Sequence, residues 1–251
     1  MMDALYSAAT GMMAQQTSMD VVANNLANAT TSGYKRDRMD LVDLEYQPFR
    51  LPNGRDGQVG LGAAPGQIAK EHAQGGLQNT GRGMDVAIQG DGFFQVTRSD
   101  GTLAYTRAGN LQVDANGRIG LPTGELLQPR ITVPAGAGEV SIGPGGAVTA
   151  NVNGVIADLG KISTASFTNP SGLQAAGDNL FVATANSGAA DLGAPGTADR
   201  GMLSQGFLEA SNVNVGTEMI SLIVTQRAFE ASSKVVSASD EMMGMANGLR
   251  R

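Results

Sequence analysis

Hydrophobic positions recur along this chain with two different periods. Near the N-terminus Leu5, Met12, Met19 and Leu26 are spaced by seven, and Ala8, Gln15, Val22 and Ala29 each follow three residues later. This a/d stripe predicts a long helix over 1–33. Gly11 is its weak point, costing about 1 kcal/mol relative to Ala. Ser32-Gly33 predicts the stop, because Gly takes the left-handed C′ conformation without steric cost. The C-terminal end repeats the pattern with Leu222, Phe229, Val236 and Met243. Met219, Gln226, Ser233 and Asp240 occupy the alternate positions of that seam, and Ile220, Ile223 and Val224 broaden its apolar face. Asn214 or Thr217 supplies the N-cap.

Between the ends the period falls to two. Val86, Ile88, Phe94 and Val96 share one parity across Gly90-Asp91-Gly92. Ser99-Asp100-Gly101-Thr102 and Asn116-Gly117 read as hairpin turns. Short strands are expected at 103–106, 110–113, 118–121, 131–133, 139–142, 147–151, 160–167 and 179–183. Residues 34–69 read as an extended connector, charged at its start and rich in Gly and Pro from Pro52 onward, and 184–199 reads as a further loop. The resulting division is 1–33 helix, 34–69 connector, 70–208 all-β domain and 209–251 helix. The fold class is α+β, with the terminal helices forming a coiled-coil-like α domain beside an all-β middle domain.

Composition narrows the chemistry. The 251 residues contain no Cys, no Trp and a single His, His72. Disulfides, thiolate nucleophiles, Cys-based zinc sites and multi-histidine metal sites are excluded. Aromatic residues make up only 4%, so the core must be aliphatic and rich in small residues. The formal net charge of −6 argues against nucleic acid or anionic lipid as the main partner. No apolar run is long enough to predict a membrane-spanning helix. The opening Met-Met-Asp-Ala-Leu-Tyr lacks the basic and apolar regions of a secretory signal, which predicts cytosolic residence or export without a cleaved signal.

No catalytic, metal or cofactor site is expected. Asp91, Asp100 and Asp114 could be paired carboxylates for glycoside hydrolysis, but each stands beside Gly or near Asn-Gly, where Asp serves turn geometry. His72 has no accompanying nucleophile motif and reads as a loop histidine. Asp114-Ala115-Asn116-Gly117 lacks the later ligands of a calcium loop. Gly60-Leu61-Gly62 and Gly143-Pro144-Gly145-Gly146 complete no phosphate-binding fingerprint. Met242, Met243 and Met245 suit adaptable packing.

The terminal stripes need partners. Residues 1–30 hold only two charged side chains, Asp3 and Asp20, and their remaining positions are mostly Ala, Ser, Thr, Gln and Asn. Asn24, Asn25 and Asn28 cluster near the end, with Asn24 and Asn28 on one face. Either the two helices pair within one chain over the β domain, or they also pack on the same helices of other copies. The scarcity of charge favours the second arrangement. In the connector, Lys35, Arg36 and Arg38 facing Asp37, Asp40, Asp43 and Glu45 offer intersubunit ion pairs, or a solvated charged face.

Several stretches resemble flagellar rod and hook proteins. Thr10-Gly11-Met12-Met13-Ala14 with Val22-Ala23-Asn24-Asn25-Leu26-Ala27-Asn28 is similar to that family's N-terminal signature. Asp85-Val86-Ala87-Ile88-Gln89-Gly90-Asp91-Gly92-Phe93-Phe94 and Tyr105-Thr106-Arg107-Ala108-Gly109-Asn110 resemble its middle-domain motifs. Ser211-Asn212-Val213-Asn214 and Gln226-Arg227-Ala228-Phe229-Glu230 through Lys234 resemble its C-terminal signature. Met84 and Phe229 stand where the family pattern leads one to expect Leu and Tyr. The size of the middle domain resembles the rod members more than the hook members.

The resemblance implies a structural subunit rather than an enzyme, needing no cofactor. It implies export through the flagellar apparatus and helical self-assembly into a hollow shaft across the periplasm. Implied partners are further copies of the chain, the proximal rod protein, the hook protein, the peptidoglycan-ring and outer-membrane-ring bushing proteins and the export apparatus. Neither nucleic acid nor membrane insertion is implied. The expected assembly interface comprises Leu5, Met12, Met19, Val22, Asn24, Asn25, Leu26, Asn28, Met219, Leu222, Gln226, Phe229, Val236 and Met243. Lys35, Arg36, Arg38, Asp40 and Asp43 are the expected connector contacts.

Overall fold

The computed structural model describes residues 2–50, 56–198 and 200–248. Pro52 in the connector and Asp199 at the end of the expected 184–199 loop lie outside them. Contacts divide the chain into two units, one of residues 1–27, 37–70 and 213–251, the other of 28–36 and 71–212.

The first unit is built on helices α1 (Met2–Ala27) and α2 (Val215–Gly248). They pack on each other. Asn25 hydrogen-bonds Glu218, while Gly11 faces Ser232, fourteen residues back on α1 and fourteen forward on α2. The pair is therefore antiparallel. A Cβ on Gly11 would lie 3.7 Å from Ser232 Oγ, ordinary contact distance, so this glycine sits where the helices approach closely. Asn214 is the N-cap of α2: its Oδ1 accepts from Thr217 N at 3.1 Å, and its carbonyl from Glu218 N.

The sheltered side of α2 follows a four-three alternation: Glu218, Leu222, Thr225, Phe229, Ser232, Val236, Ser239 and Met243. The Leu222 row of the sequence reading is here. The other row is not the one expected from hydrophobicity. Met219 is 52% exposed and Gln226 is exposed, whereas Glu218, Thr225 and Ser239 are buried. Small hydroxyl side chains let α1 come close, and the larger Met and Gln are turned out.

α1 ends at Ala27, earlier than Gly33. Residues 28–34 instead make successive turns, with Thr31 N donating to Asn28 O and Tyr34 N to Thr31 O. Gly33 still has φ +71°, but it serves a close approach in the second unit.

The connector is more regular than its composition suggests. β1 (Asp37–Asp43) pairs antiparallel with β4 (Ala63–Lys70), and β2 (Tyr46–Arg50) with β3 (Asp56–Gly60). Both are two-stranded, so every strand has a free edge and Pro48 and Pro65 are tolerated. α1 rests on β1 and β4 as well as on α2.

The second unit is all-β apart from a single 3-10 turn at Pro170–Gly172, among the described residues. Its largest sheet is centred on Phe93–Thr97, which pairs with Leu103–Thr106, Leu126–Gln128 and Thr164–Ser166. Ala137–Ile142, Ala147–Val152 and Val155–Lys161 form a three-stranded meander. Val86, Ile88, Phe94 and Val96 enter one core cluster with Leu111, Ile119, Leu127 and Ile162, as their common parity predicts. The opposite face of the central strand is buried too, with Phe93 joining Tyr105, Leu173 and Phe181. Residues 131–133 contribute only a bridge, Thr132 to Arg118, and the expected 160–167 strand breaks in two at Ile162. Asp191–Gly193, read as loop, pairs with Thr164–Ser166.

Gly109 marks the tightest backbone approach in this unit. A Cβ there would lie 1.7 Å from Val86 O, while Gly109 O accepts from Val86 N at 2.9 Å. The contact is backbone against backbone, so relief requires separating paired segments. We expect Gly109→Ala to destabilise the β unit by about 2–3 kcal/mol, measured as a lowered denaturation midpoint with unchanged m-value.

Candidate functional site

Asn25 is the polar centre of the helical unit. It is 1% exposed, and its amide grips the backbone of Asp37 at both ends: Nδ2 donates to Asp37 O and Oδ1 accepts from Asp37 N, each at 2.8 Å. The same Nδ2 reaches Glu218 Oε2 at 3.3 Å. One side chain thereby ties α1, β1 and α2 together. Lys70 Nζ closes the arrangement on Asp37 Oδ1 at 2.9 Å. Near the other end of α1, Ser7 and Thr10 donate to the carbonyls of Gly60 and Leu61. The uncharged polar positions of α1 thus hydrogen-bond to connector backbone.

The other expected interface residues divide by exposure. Val22 is buried; Leu5, Met12, Met19, Leu26, Asn28, Leu222, Phe229, Val236 and Met243 are half-buried; Asn24, Met219 and Gln226 are exposed. About a third of a turn from its sheltered side, α2 carries a second apolar row. Ile220, Val224, Val235, Met242 and Met245 are between 45% and 64% exposed, with Ala231 and Ala238 exposed between them. Their spacing keeps them on one helical face. Hydrophobic periodicity sees this row, but cannot say which of two apolar rows the chain itself covers.

The expected connector contacts are mostly local. Arg38 pairs with Asp40 at 3.2 Å within β1, and Arg36 with Glu71 at 3.3 Å. Asp43 hydrogen-bonds Tyr46 and holds its phenol above the usual range. Lys35 is the exception. Its ammonium is fully buried in the second unit, 2.6 Å from Glu209 Oε1 and 2.8 Å from Ala73 O. It is therefore no surface contact of the connector. A lysine in a charged run reads as solvated, and its partner lies 174 residues away.

Glu209 also meets Arg107 Nη1 at 3.3 Å through Oε2 and accepts from Gly75 N at 2.9 Å through Oε1. Arg107 donates to Gly90 O and stands 5.3 Å over the Phe93 ring. Burial lowers the pKa of both cations, and Glu209 opposes that shift. Glycines admit the close backbone: a Cβ on Gly33 would come within 2.7 Å of Arg107 C, and one on Gly75 within 2.0 Å of Ala210 O. The sequence reading missed Glu209 and Arg107 as a pair. Their only signal is position, Arg107 inside one quoted motif and Glu209 two residues before another.

Two of the carboxylates weighed for catalysis, Asp100 and Asp114, serve turns. Asp100 accepts from Thr102 N and Oγ1, and Asp114 from Asn116 N and Arg118 N. These hydrogen bonds hold both carboxyls below the usual range, the Thr102 hydroxyl leading for Asp100 and the Arg118 amide for Asp114. His72 packs edge-on against Phe93 and Phe181 at 5.6 and 5.5 Å. No helix among the described residues is long and apolar enough to cross a membrane.

The fold defines a class by architecture: a long antiparallel helix pair formed by N- and C-terminal segments, with a β-rich segment between them in sequence. Three family models match the chain in order: flagella basal body rod protein over 5–35, flagellar hook protein FlgE/F/G D1 domain over 87–150, and flagellar basal body rod FlgEFG protein C-terminal over 204–249. The chain is 42% identical over 261 residues to the flagellar basal-body rod protein FlgG of Caulobacter vibrioides, covering 99% of this chain and all of that one. It is 40% identical to FlgG of Borreliella burgdorferi over the full length of both, and 37% to FlgG of Bacillus subtilis, likewise over both full lengths. The chain belongs to the flagellar basal-body rod and hook family, and is most like its FlgG members.

We expect Asn25→Ala to cost the helical unit about 2–4 kcal/mol, because the buried backbone groups of Asp37 lose both partners. Loss of far-UV helical signal at lower denaturant checks this.

Proposed function

We propose that this chain is a structural subunit of the distal rod of the bacterial flagellum. It polymerises helically, through its terminal helices, into a hollow shaft that carries torque across the periplasm to the hook. The observation that carries this reading is that α2 bears two apolar rows: one faces the chain's own α1, and a second, about a third of a turn away and interrupted by Arg227, is left exposed. A second copy presenting a helix can cover that row in a coiled-coil-like seam. Such a contact joins different surfaces of successive copies, so it is heterologous, and when its rotation does not close it generates an open helical filament. Burial contributes roughly 25 cal/mol per Å² of apolar surface, so each added neighbour strengthens the seam.

Within this proposal, 1–33 and 209–251 act as the assembly domain, 34–69 as connector and 70–208 as the outer β domain. The chain works without catalysis or cofactor. Its partners are other copies, the proximal rod protein, the hook protein, the bushing proteins of the peptidoglycan and outer-membrane rings, and the export apparatus that delivers it without a cleaved signal. The full-length likeness to FlgG relatives supports the distal assignment.

Two kinds of variant separate the two apolar rows of α2. Val224→Asp with Val235→Asp charges the exposed row and should leave a monomer of normal helix content that no longer forms sedimentable oligomers. Phe229→Asp, or Leu26→Asp on α1, should lose the helix pair and assembly together, with the β unit still folded. Sedimentation and circular dichroism read both. A Val224→Asp/Val235→Asp strain that still swims with a complete hook would overturn the assembly role.

A further inference from the structure

Both helices of the first unit have an exposed side, and the two sides match. On α1, Tyr6, Met13, Asp20 and Ala27 are spaced by seven and all exposed. On α2, Ile220, Arg227, Lys234 and Glu241 are also spaced by seven and all exposed. Tyr6 is 54%, Met13 59% and Ile220 64% exposed, so the chain itself covers neither row. After Asp3 in its first turn, α1 carries one charged side chain, Asp20. The exposed apolar row of α2 is broken between Val224 and Ala231 by one cation, Arg227. Among the described residues, neither Asp20 nor Arg227 takes part in an ion pair.

We infer that the exposed row of α1 on one copy covers the exposed row of α2 on another, antiparallel and in a single register: Ala27 on Ile220, Asp20 on Arg227, Met13 on Lys234 and Tyr6 on Glu241. The inference rests on the helical assembly proposed above. Helical symmetry carries each copy into the next by rotation about one axis and translation along it, so helices running along the shaft keep their sense. α1 and α2 are antiparallel within a chain, so α1 of one copy also runs against α2 of another. Charge and length then select the register. A slip of one heptad toward the end of α2 sets Asp20 on Lys234, but Ile220 and Val224 then lie past the end of α1 at Ala27. A slip the other way sets the Asp20 carboxylate on Ile220. Only the register between them places anion on cation and spans the whole row. It also sets Ala23 and Ala27 against the larger Val224 and Ile220, small residues facing large as in a packed helical seam. Opposite charges inside an otherwise apolar contact fix register more than they add affinity.

Charge reversal in the full-length protein tests this, with sedimentation as the readout and circular dichroism checking that helix content is normal. Asp20→Arg and Arg227→Asp should each raise the concentration needed for sedimentable oligomers about tenfold or more, because like charges then face each other across the seam. Combining the two should recover most of that loss, whereas Asp20→Arg with Lys234→Asp should not. The chain has no Cys, so a single introduced Cys can bridge only between copies. A mixture of Ala23→Cys and Val224→Cys proteins should give, on mild oxidation, mainly the disulfide-linked pair of the two variants. Single reversals without effect, no recovery on combining them, equal recovery through Lys234→Asp, or self-pairs in place of the mixed pair would each overturn the register. Parent protein that sediments while these tests fail leaves the assembly reading standing and removes the register alone; parent protein that never sediments overturns both.

Discussion

A helix that carries two separate apolar rows, about a third of a turn apart, cannot bury both fully against a single partner helix. α2 is such a helix. Its row through Leu222, Phe229 and Val236 is sheltered by α1, and the row through Ile220, Val224, Val235 and Met242 is not. An exposed stripe of this length on a monomer is an aggregation hazard unless it has a defined partner. In the proposed function that partner is the next copy, so the stripe the chain cannot cover is what makes a filament.

The covered side shows how closeness was obtained without much hydrophobicity. Gly11 faces Ser232, and Thr225 and Ser239 are buried on the same side. Small side chains here alternate with Leu222, Phe229, Val236 and Met243, which stay only half-buried, so the seam buries little apolar area. Such a seam is weak alone. It gains by mass action when association covers the opposite face, because a partner that binds only the folded form stabilises it. A modest internal seam beside an uncovered external one therefore ties the order of the helices to assembly.

Much of this was legible in the sequence, and the omissions have physical causes. The heptad row from Leu222 to Met243 and the shared parity of Val86, Ile88, Phe94 and Val96 follow from apolar periodicity; the structure half-buries the first and places the second in one core cluster. The partner row on α2 is Glu218, Thr225, Ser232 and Ser239, which no hydrophobic scan can find; the scan selects Met219, one residue on. The strands of 37–70 were hidden by Pro48, Pro65 and a run of charges, residues that depress strand propensity but are harmless in two-stranded ribbons. Asn25 stands among the expected assembly contacts, and its amide is engaged by the backbone of Asp37 in its own chain.

The buried charges were least legible, for a general reason. A lone Lys, Arg or Glu in a sequence reads as surface, because burying an ion costs several kcal/mol unless a partner is fixed beside it. The partner here comes from the far end of the chain, so no local window contains the compensation.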